Sequence, residues 1–396
     1  MKILYILHFP PPVHGSAVVG SYIKDNGVIN ESFNCRYINL GISETVEDIG
    51  HKGFGKLVRY LSLLWNVKKQ LLIFRPDLCY LTINSTGTGF YKDVLVVLLV
   101  KIFGVKPVYH FHNKGVSRSQ NKFFDNLLYR FVFRNAEIIL LSKFLYPDIR
   151  KYVPESRVRY CPNGIPEINS VERRAESVEW KELRNERRLV LRSFKEEGTE
   201  SLERKEGGEP VELLFLSHLI KSKGVLVLIN ACEILRDKGA DFHCSLAGGD
   251  AELTRQDVQD VITGKKLSSF ITISGPVYGE EKMNVMSAAD IFVHPSFNDC
   301  LPLIILESMQ YSLPIVSTFE GAIPEVVEDG VTGFLVPQKD SNALAEKLEL
   351  LIKDPELRLR MGRAGREKYE KEFTLTIFEK RMKEILEELI LKSEKA

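Results

Sequence analysis

Short apolar runs alternate with longer amphipathic stretches along most of the chain, and this alternation restricts the fold more than any other feature. In the first half the runs lie at residues 2–9, 35–40, 78–84, 106–112 and 136–142, and helical patterns at residues 55–74 and 122–134 lie between them. Brief apolar runs bounded by Gly, Pro, Asn or Ser are typical of buried strands. Strands that alternate with helices predict an α/β protein with parallel, doubly wound sheets.

The alternation stops near residue 166 and resumes after Pro210, so the chain divides into two domains. Between them, residues 170–210 hold 11 acidic and 10 basic side chains, a composition typical of a charged linker or insertion. We predict four parts: an N-terminal Rossmann-like domain at 1–165, the charged linker at 166–210, a second Rossmann-like domain at 211–372, and a C-terminal helix at 373–396 that packs back on the first domain.

The composition excludes several classes of protein. Hydrophobic residues make up 44% and charged residues 27%, which are values of a globular chain. No run approaches the roughly 20 apolar residues of a membrane span. The six cysteines are scattered singly without a C-x-x-C pair, and the apolar N-terminus ends at prolines without a cleavage site. These features predict a cytoplasmic protein without disulfides or a metal centre.

The charge is unevenly distributed. Residues 1–165 hold 22 basic and 11 acidic residues, a net charge of +11, whereas the rest of the chain carries −10. Basic residues are interleaved with large apolar ones at residues 56–69 and 122–134. This pattern predicts peripheral attachment to an anionic membrane surface, the inner face of the cell membrane, unless the apolar residues face the domain core and the lysines are only solvated. No nucleic-acid-binding motif accompanies the charge, so nucleic acid is not an expected partner.

Two turns at predicted helix starts are suited to phosphate. After the first strand, Gly15 and Ser16 stand where a nicotinamide-binding protein would have G-x-G-x-x-G, so that class is not favoured. The amides at this helix start could instead contact a phosphate or sugar, or belong to an ordinary turn. In the second domain Lys223 and Gly224 follow a strand and precede a helix, which indicates a phosphate clamp or a solvated lysine.

Two carboxylates stand close together in the second domain. Glu307 lies among apolar neighbours in a predicted helix, where a carboxylate is costly unless it binds something, and Asp299 lies eight residues earlier in the preceding loop. Together they could hold the hydroxyl groups of a ligand.

The pattern acid–seven residues–Glu, followed by MQYSLPIV at 309–316, GAIPE at 321–325 and DGVTGFLV at 329–336, resembles the retaining glycosyltransferases of family 4. The resemblance extends to the turn at 10–15, to YHFH at 109–112, to PNGI at 162–165 and to Lys223-Gly224. It implies the GT-B fold, in which two Rossmann-like domains face a central cleft.

The resemblance also implies a retaining, hexosyltransferase-type reaction, with a nucleotide-diphosphate sugar as donor and a polysaccharide or lipid-linked glycan as acceptor. Lys223 would neutralise the diphosphate, Asp299 would hold the sugar and His112 would reach it, so these three are the candidate catalytic residues. The candidate donor-binding residues are Gly15, Ser16, His218, Gly275, Val277, Cys300, Leu301, Leu303 and Glu307, with Glu307 on the ribose hydroxyls.

The chain departs from the family pattern at two places. Asp299 stands where the family usually has Glu, and Ser217-His218-Leu219 stands where it usually has Gly-Arg-Leu. A catalytically silent sugar-nucleotide-binding subunit is therefore one alternative, and a nucleotide-sugar 2-epimerase, a class with the same general architecture, is another. No Asp-x-Asp pair suited to magnesium occurs, so neither a metal nor another cofactor is expected.

Overall fold

The computed structural model describes residues 1–11, 14–41, 54–168 and 209–394. They form two compact units, Met1–Ile165 with Glu372–Ala396 and Pro166–Lys371. Almost all of the charged segment predicted at 170–210 lies outside the described residues, and so do residues 12 and 13 of the first predicted turn. Each unit is an α/β structure built on one sheet of six parallel strands.

The sheet of the first unit has the strand order β2-β1-β3-β4-β5-β6. Its strands are β1 (Lys2–Leu7), β2 (Asn34–Asn39), β3 (Leu78–Leu81), β4 (Lys106–Phe111), β5 (Glu137–Leu140) and β6 (Val158–Tyr160). The central strands are buried along almost their whole length, because helices cover both faces of the sheet.

The helices of the first unit are α1 (Gly15–Lys24), α2 (Gly27–Ser32), α3 (Phe54–Ile73), α4 (Gly87–Ile102), α5 (Val116–Ser119) and α6 (Phe123–Phe133). The C-terminal helix, α14 (Leu375–Glu394), belongs to this unit and contacts α2. The N–H of Leu375 donates to the carbonyl of Ile165 at 2.8 Å, so the end of the chain returns to residues that close the first unit.

The connections place three helices side by side. α3, α4 and α6 join β2 to β3, β3 to β4 and β4 to β5, and all three connections run in the same direction across the sheet. Since such connections are right-handed, the three helices lie on one face of the sheet, and α1 and α2, which join β1 to β2 in the opposite direction, lie on the other. α4 contacts both α3 and α6.

The sheet of the second unit has the order β12-β11-β10-β7-β8-β9. Its strands are β7 (Val211–Leu216), β8 (Phe242–Ala247), β9 (Ile271–Ser274), β10 (Ile291–His294), β11 (Ile315–Thr318) and β12 (Gly333–Val336). Its helices are α7 (Val225–Asp237), α8 (Arg255–Gly264), α9 (Gly279–Ala288), α10 (Leu303–Gln310), α11 (Ile323–Val326), α12 (Ser341–Lys353) and α13 (Pro355–Glu372). Buried side chains of β7, β8, α7 and α12 form its core.

The predicted fold class is confirmed, since both halves are doubly wound parallel α/β units. No helix in the described ranges is both long and apolar enough to cross a membrane.

Candidate functional site

The second unit has a switch point between β7 and β10. From β7 the chain moves outward to β8 and β9 on one side, and then returns to β10, β11 and β12 on the other. At such a point neighbouring loops leave the carboxyl ends of the strands in opposite directions and open a crevice, where α/β proteins bind ligands. The loops that follow β7 and β10 carry Lys223 and Asp299.

Lys223 and Asp299, which are 76 residues apart, form an ion pair at this switch point. The Nζ of Lys223 lies 2.6 Å from Oδ1 of Asp299. The other carboxylate oxygen, Oδ2, lies 3.0 Å from Nε2 of His294, the last residue of β10. His294 is only 1% exposed, so the carboxylate has one buried partner and one that is partly reached by water.

The environment keeps Asp299 ionised. Burial alone raises the pKa of this carboxyl, but the hydrogen bond and charge of His294 and the ammonium of Lys223 outweigh it, and the pKa of Asp299 is held well below its usual value. Asp299 is therefore a carboxylate at neutral pH, and it fixes Lys223 next to the sheet edge.

The backbone brings the two loops together. Gly224 has a φ of +84°, and a Cβ on it would lie 2.1 Å from the carbonyl oxygen of Pro295, so only glycine fits. The carbonyl of Ser222 accepts hydrogen bonds from the N–H of Phe297 at 2.9 Å and the hydroxyl of Ser296 at 3.1 Å. Lys223 is therefore presented by a turn that is tied to the Asp299 loop on both sides.

A further carboxylate supports Asp299 from behind. The N–H of Asp299 donates to Oε1 of Glu320 at 2.9 Å, and Gln338 donates to the other oxygen of Glu320 at 2.5 Å. Gly321, with a φ of +55°, approaches so closely that a Cβ there would lie 2.4 Å from the carbonyl oxygen of Asp299. These contacts fix the backbone of the loop that carries Asp299.

Glu307 lies on α10 and has an ion-pair partner that the sequence did not indicate. The Nζ of Lys282, on α9, lies 2.5 Å from Oε2 of Glu307. The two side chains are 31% and 24% exposed, so the pair is at the surface of the unit rather than in its core. A ligand that uses Glu307 must share it with Lys282.

The other predicted donor-binding residues of this unit lie in the same set of loops. His218 is exposed after β7 and packs against Gly249, while Gly275 and Val277 follow β9. Cys300, Leu301 and Leu303 lie between Asp299 and the first turn of α10, where helix amides carry partial positive charge. Pro302 in this stretch has no N–H, so it cannot donate.

The first unit has its own switch point, between β1 and β3. The Nδ1 of His8, which follows β1, lies 3.4 Å from the hydroxyl of Thr82, which follows β3. His14 caps α1, because its side chain accepts from the N–H of Ala17, and the hydroxyl of Ser16 lies 3.0 Å from Nδ1 of His14. Gly15 is exposed at the same helix start.

His112 follows β4 and belongs to the same histidine cluster. Burial first, and then the charges of His8 and His14, lower the pKa of His112 to about 3. The pKa of His8 is lowered to about 4, by burial first and then by His14. The buried Nε2 of His112 has no hydrogen-bond partner among the described residues. These rings are neutral at pH 7, so the cluster offers neutral donors and acceptors rather than positive charge.

Lys223 and Asp299 were both predicted as catalytic residues, and they form one ion pair in the structure. Gly15, Ser16 and His112 lie in the first unit, and the other predicted residues in the second. Four residues that contact the predicted ones were not predicted from the sequence: His294, Glu320, Lys282 and His8. His294 carried a signal, since it ends an apolar run just before the predicted loop, but Glu320 and Lys282 are ordinary surface-type residues in the sequence.

Within the described residues, no group of three or more His, Cys, Asp or Glu side chains is arranged to hold a metal ion.

Comparison with a protein family model gives a match that falls mainly on the second unit. Residues 199–368, less than half of the chain, match the family model of group 1 glycosyl transferases. The chain is 32% identical to the amylovoran biosynthesis glycosyltransferase AmsK of Erwinia amylovora over 188 residues. This alignment covers 46% of each protein. The chain is 31% identical over 150 residues to the alpha-D-kanosaminyltransferase of Streptomyces kanamyceticus, which covers 38% of each. The chain thus spans less than half the length of these curated relatives.

Solved structures match along nearly the whole chain. Anabaena HepE in complex with UDP aligns with a TM-score of 0.72 at 18% identity, over 98% of this chain and all of that one. A sucrose-phosphate synthase from Thermosynechococcus elongatus aligns with a TM-score of 0.71 at 17% identity, over 99% of this chain and all of that one. At this identity the likeness shows the fold, which is the predicted GT-B type of α/β architecture.

Proposed function

We propose that the protein is a glycosyltransferase that moves a hexosyl group from a nucleotide-diphosphate sugar to a glycan acceptor, with retention of configuration. One observation carries the proposal: the ion pair of Lys223 and Asp299, backed by His294, stands at the switch point of the second unit. The sequence matches to group 1 glycosyl transferases fall on this same unit and support the assignment.

In the proposed reaction, the bond between the anomeric carbon and the diphosphate oxygen breaks, and its electron pair stays on the diphosphate. The acceptor hydroxyl forms the new bond to the anomeric carbon and passes its proton to the departing diphosphate oxygen. Negative charge therefore grows on the phosphates, and a fixed ammonium beside helix amides stabilises it. Lys223 has this position, at the start of α7 and beside the loop that leads to α10.

Asp299 gives the lysine a fixed position before the donor arrives. When a diphosphate binds, Lys223 is attracted to two anions, and His294 stays 3.0 Å from Asp299 to share the remaining charge. The carboxylate can then accept hydrogen bonds from sugar hydroxyls. His218, near the same turn, would stand in for the arginine that the family usually has there.

Glu307 is proposed to bind the ribose hydroxyls of the donor. A carboxylate accepts two hydroxyl hydrogen bonds, and charge makes them stronger than neutral ones. The ion pair with Lys282, at 2.5 Å, is compatible with this role only if Lys282 shares or releases the carboxylate when the ribose binds. Gly275 and Val277 would flank the base.

The first unit is proposed to select the acceptor, and His112 to contact the donor sugar. A neutral imidazole with an unpartnered nitrogen is suited to accept or donate one hydrogen bond to a sugar hydroxyl. The proposed acceptor is a polysaccharide or lipid-linked glycan, and the enzyme is proposed to work in the cytoplasm at an anionic membrane surface near residues 56–69 and 122–134.

No metal or other cofactor is required in this proposal, because Lys223 and the helix amides supply the positive potential. The test is to incubate the protein with each common nucleotide sugar and to measure release of nucleoside diphosphate, with and without EDTA, in the presence of glycan acceptors. Turnover that persists in EDTA supports the proposal. Tight donor binding without turnover for any acceptor would instead identify a silent binding subunit, and an altered sugar without transfer would identify an epimerase.

A further inference from the structure

The outer surface of the helix layer α3, α4 and α6 is unusually apolar for an uncovered face. Among the described residues, 22 large apolar side chains are exposed, and 13 of them belong to these three helices. They include Trp65 at 67% exposed, Ile102 at 68% and Phe123 at 77%. A helix that packs on a sheet by one stripe normally turns polar residues outward. This layer turns aliphatic and aromatic side chains outward instead.

The exposed residues form stripes on neighbouring helices. On α4, Tyr91, Leu95, Leu98 and Ile102 follow each other at helical spacing and are all exposed. Between α3 and α4 lies a groove of about 310 Å³, lined by leucines of both helices and Trp65, and its only charged lining residue is Lys68. The apolar surface is therefore continuous from one helix to the next.

Side-chain contacts join the layer into one surface. The hydroxyl of Tyr60 on α3 donates to the carbonyl of Lys92 on α4 at 2.6 Å, and the hydroxyl of Tyr91 on α4 donates to Asp125 on α6 at 2.6 Å. The Nζ of Lys101 on α4 lies 5.4 Å from the ring centre of Phe131 on α6. The three helices therefore present their exposed residues together.

The charges on this layer have one sign. The only acidic residues of the three helices, Asp93 and Asp125, are 4% and 5% exposed, and both accept hydrogen bonds inside the unit. Lys68, Lys69, Lys92 and Arg130 are exposed beside the apolar stripes. The face thus combines a large apolar area with a positive rim.

We propose that the face formed by α3, α4 and α6, with α4 at its centre, docks on an anionic lipid bilayer. Its apolar side chains insert into the boundary between headgroups and acyl chains. An anionic bilayer supplies both complements, negative headgroups for the basic rim and hydrocarbon for the apolar stripes. Aromatic side chains such as Trp65, Tyr91 and Phe123 suit the headgroup level.

Charge also argues against a second copy of this chain as the occupant. A two-fold interface would place the same face against itself and oppose one basic rim to the other. The inference rests on the proposed function only in that a lipid-linked acceptor gives such an enzyme a reason to sit on a bilayer. The sequence predicted membrane attachment through residues 56–69 and 122–134. The structure adds α4, which lies outside both segments, as the centre of the surface. Insertion of apolar side chains, rather than charge alone, is then the source of binding.

The test compares two double variants of the full chain. Leu95→Gln/Ile102→Gln removes exposed apolar residues from α4, and the matched control Val28→Gln/Leu391→Gln removes two from α2 and α14, on the other side of the sheet. Flotation with vesicles of phosphatidylglycerol and phosphatidylcholine, and of phosphatidylcholine alone, is measured at low and high salt. We expect the wild type and the control to bind anionic vesicles and to keep part of the binding at high salt. We expect the α4 variant to partition about tenfold or more weakly, from the loss of buried apolar groups.

A second readout reports insertion directly. The chain has two tryptophans, and Trp180→Phe leaves Trp65 as the only one. Its fluorescence should shift to the blue with anionic vesicles and be quenched by brominated acyl chains.

Equal partition of the α4 variant and the control, or complete loss of wild-type binding at high salt, would overturn insertion through α4. No binding to any vesicle would overturn the bilayer as partner, and a dimer in light scattering that the α4 variant abolishes would replace it with a second copy. Thermal shifts by nucleotides should be the same in all variants, so failure of donor binding in the wild type would count against the proposed function alone.

Discussion

Replacing Lys223 with alanine tests the central ion pair of the second unit. The variant removes one partner of Asp299 and leaves the carboxylate with His294 at 3.0 Å. Breaking a fully buried pair costs about 3 to 5 kcal/mol. Here the side chains of Lys223 and Asp299 are 21% and 13% exposed and one partner remains, so we expect a loss of about 1 to 2 kcal/mol at pH 7.

The loss should be visible in thermal unfolding. For a domain of this size each kcal/mol moves the midpoint by about 2 to 4 °C, so the Lys223→Ala midpoint should fall by about 2 to 8 °C. Lys221→Ala is the matched control, since Lys221 is an exposed lysine of the same turn, and it should stay within about 0.5 kcal/mol of the wild type. Turnover in Lys223→Ala should fall by about 10² to 10³, as when one preorganised donor to a developing anion is removed.

A double-mutant cycle with Asp299→Asn isolates the pair. If the two side chains act on each other as their 2.6 Å separation indicates, the coupling energy should be about 1 kcal/mol. The depressed pKa of Asp299 means that its contribution is complete above the ordinary carboxyl pKa and is lost only as the pH falls below it. Additive effects at pH 7 in folded variants would refute the pairing, and full turnover in Lys223→Ala would remove the lysine from the mechanism.

Three further variants probe other parts of the site. Glu307→Gln should weaken nucleoside diphosphate binding in calorimetry. Lys282→Gln should leave that binding unchanged, or strengthen it by releasing Glu307. Equal losses of affinity in both variants would indicate a structural role for the pair. Gly224→Ala should lose more than about 2 kcal/mol in denaturant unfolding, since it combines a φ of +84° with a Cβ 2.1 Å from the carbonyl oxygen of Pro295, and wild-type stability would contradict the close approach. The pKa of His8 is lowered to about 4 in the folded protein. Its contribution to the free energy of unfolding is therefore present above the ordinary histidine pKa and is lost as the pH falls from about 6.5 to 4. Over that range the wild type should lose up to about 3 kcal/mol more stability than His8→Gln, and parallel pH profiles of the two proteins would refute this prediction.

The alternation of strands and helices was legible in the sequence because each element is a single apolar run or amphipathic stretch. Five of the six strands of the first unit, β1 to β5, coincide with a predicted run to within a few residues. The exception, β6, consists of Val158, Arg159 and Tyr160 and has no apolar run at all. It is a strand because it pairs with β5, where Arg159 lies opposite Ile139. Pairing with a distant strand leaves no signal in the local sequence.

The site was legible only in part. Lys223 and Asp299 stood out through strand ends and a motif, but their contact across 76 residues depends on two loops meeting at a switch point. Lys282 and Glu320 have no local pattern that separates them from solvated charges, so only the folded arrangement shows their roles. For the helix layer, the sequence periodicity of α3 and α6 indicates which residues share a stripe. It does not indicate whether another surface covers that stripe.

A thermal-shift titration of the whole chain with nucleoside diphosphates and their sugars, in EDTA, tests most directly whether the Lys223–Asp299 site binds the donor. A ligand at 100 times its dissociation constant adds about 2.7 kcal/mol, which is about 5 to 11 °C for a domain of this size. We expect one nucleotide series to give such a shift in the wild type and in Lys221→Ala, and a much smaller one in Lys223→Ala. No shift with any nucleotide up to saturating concentration, or an equal shift in Lys223→Ala, would contradict a donor site at the switch point between β7 and β10.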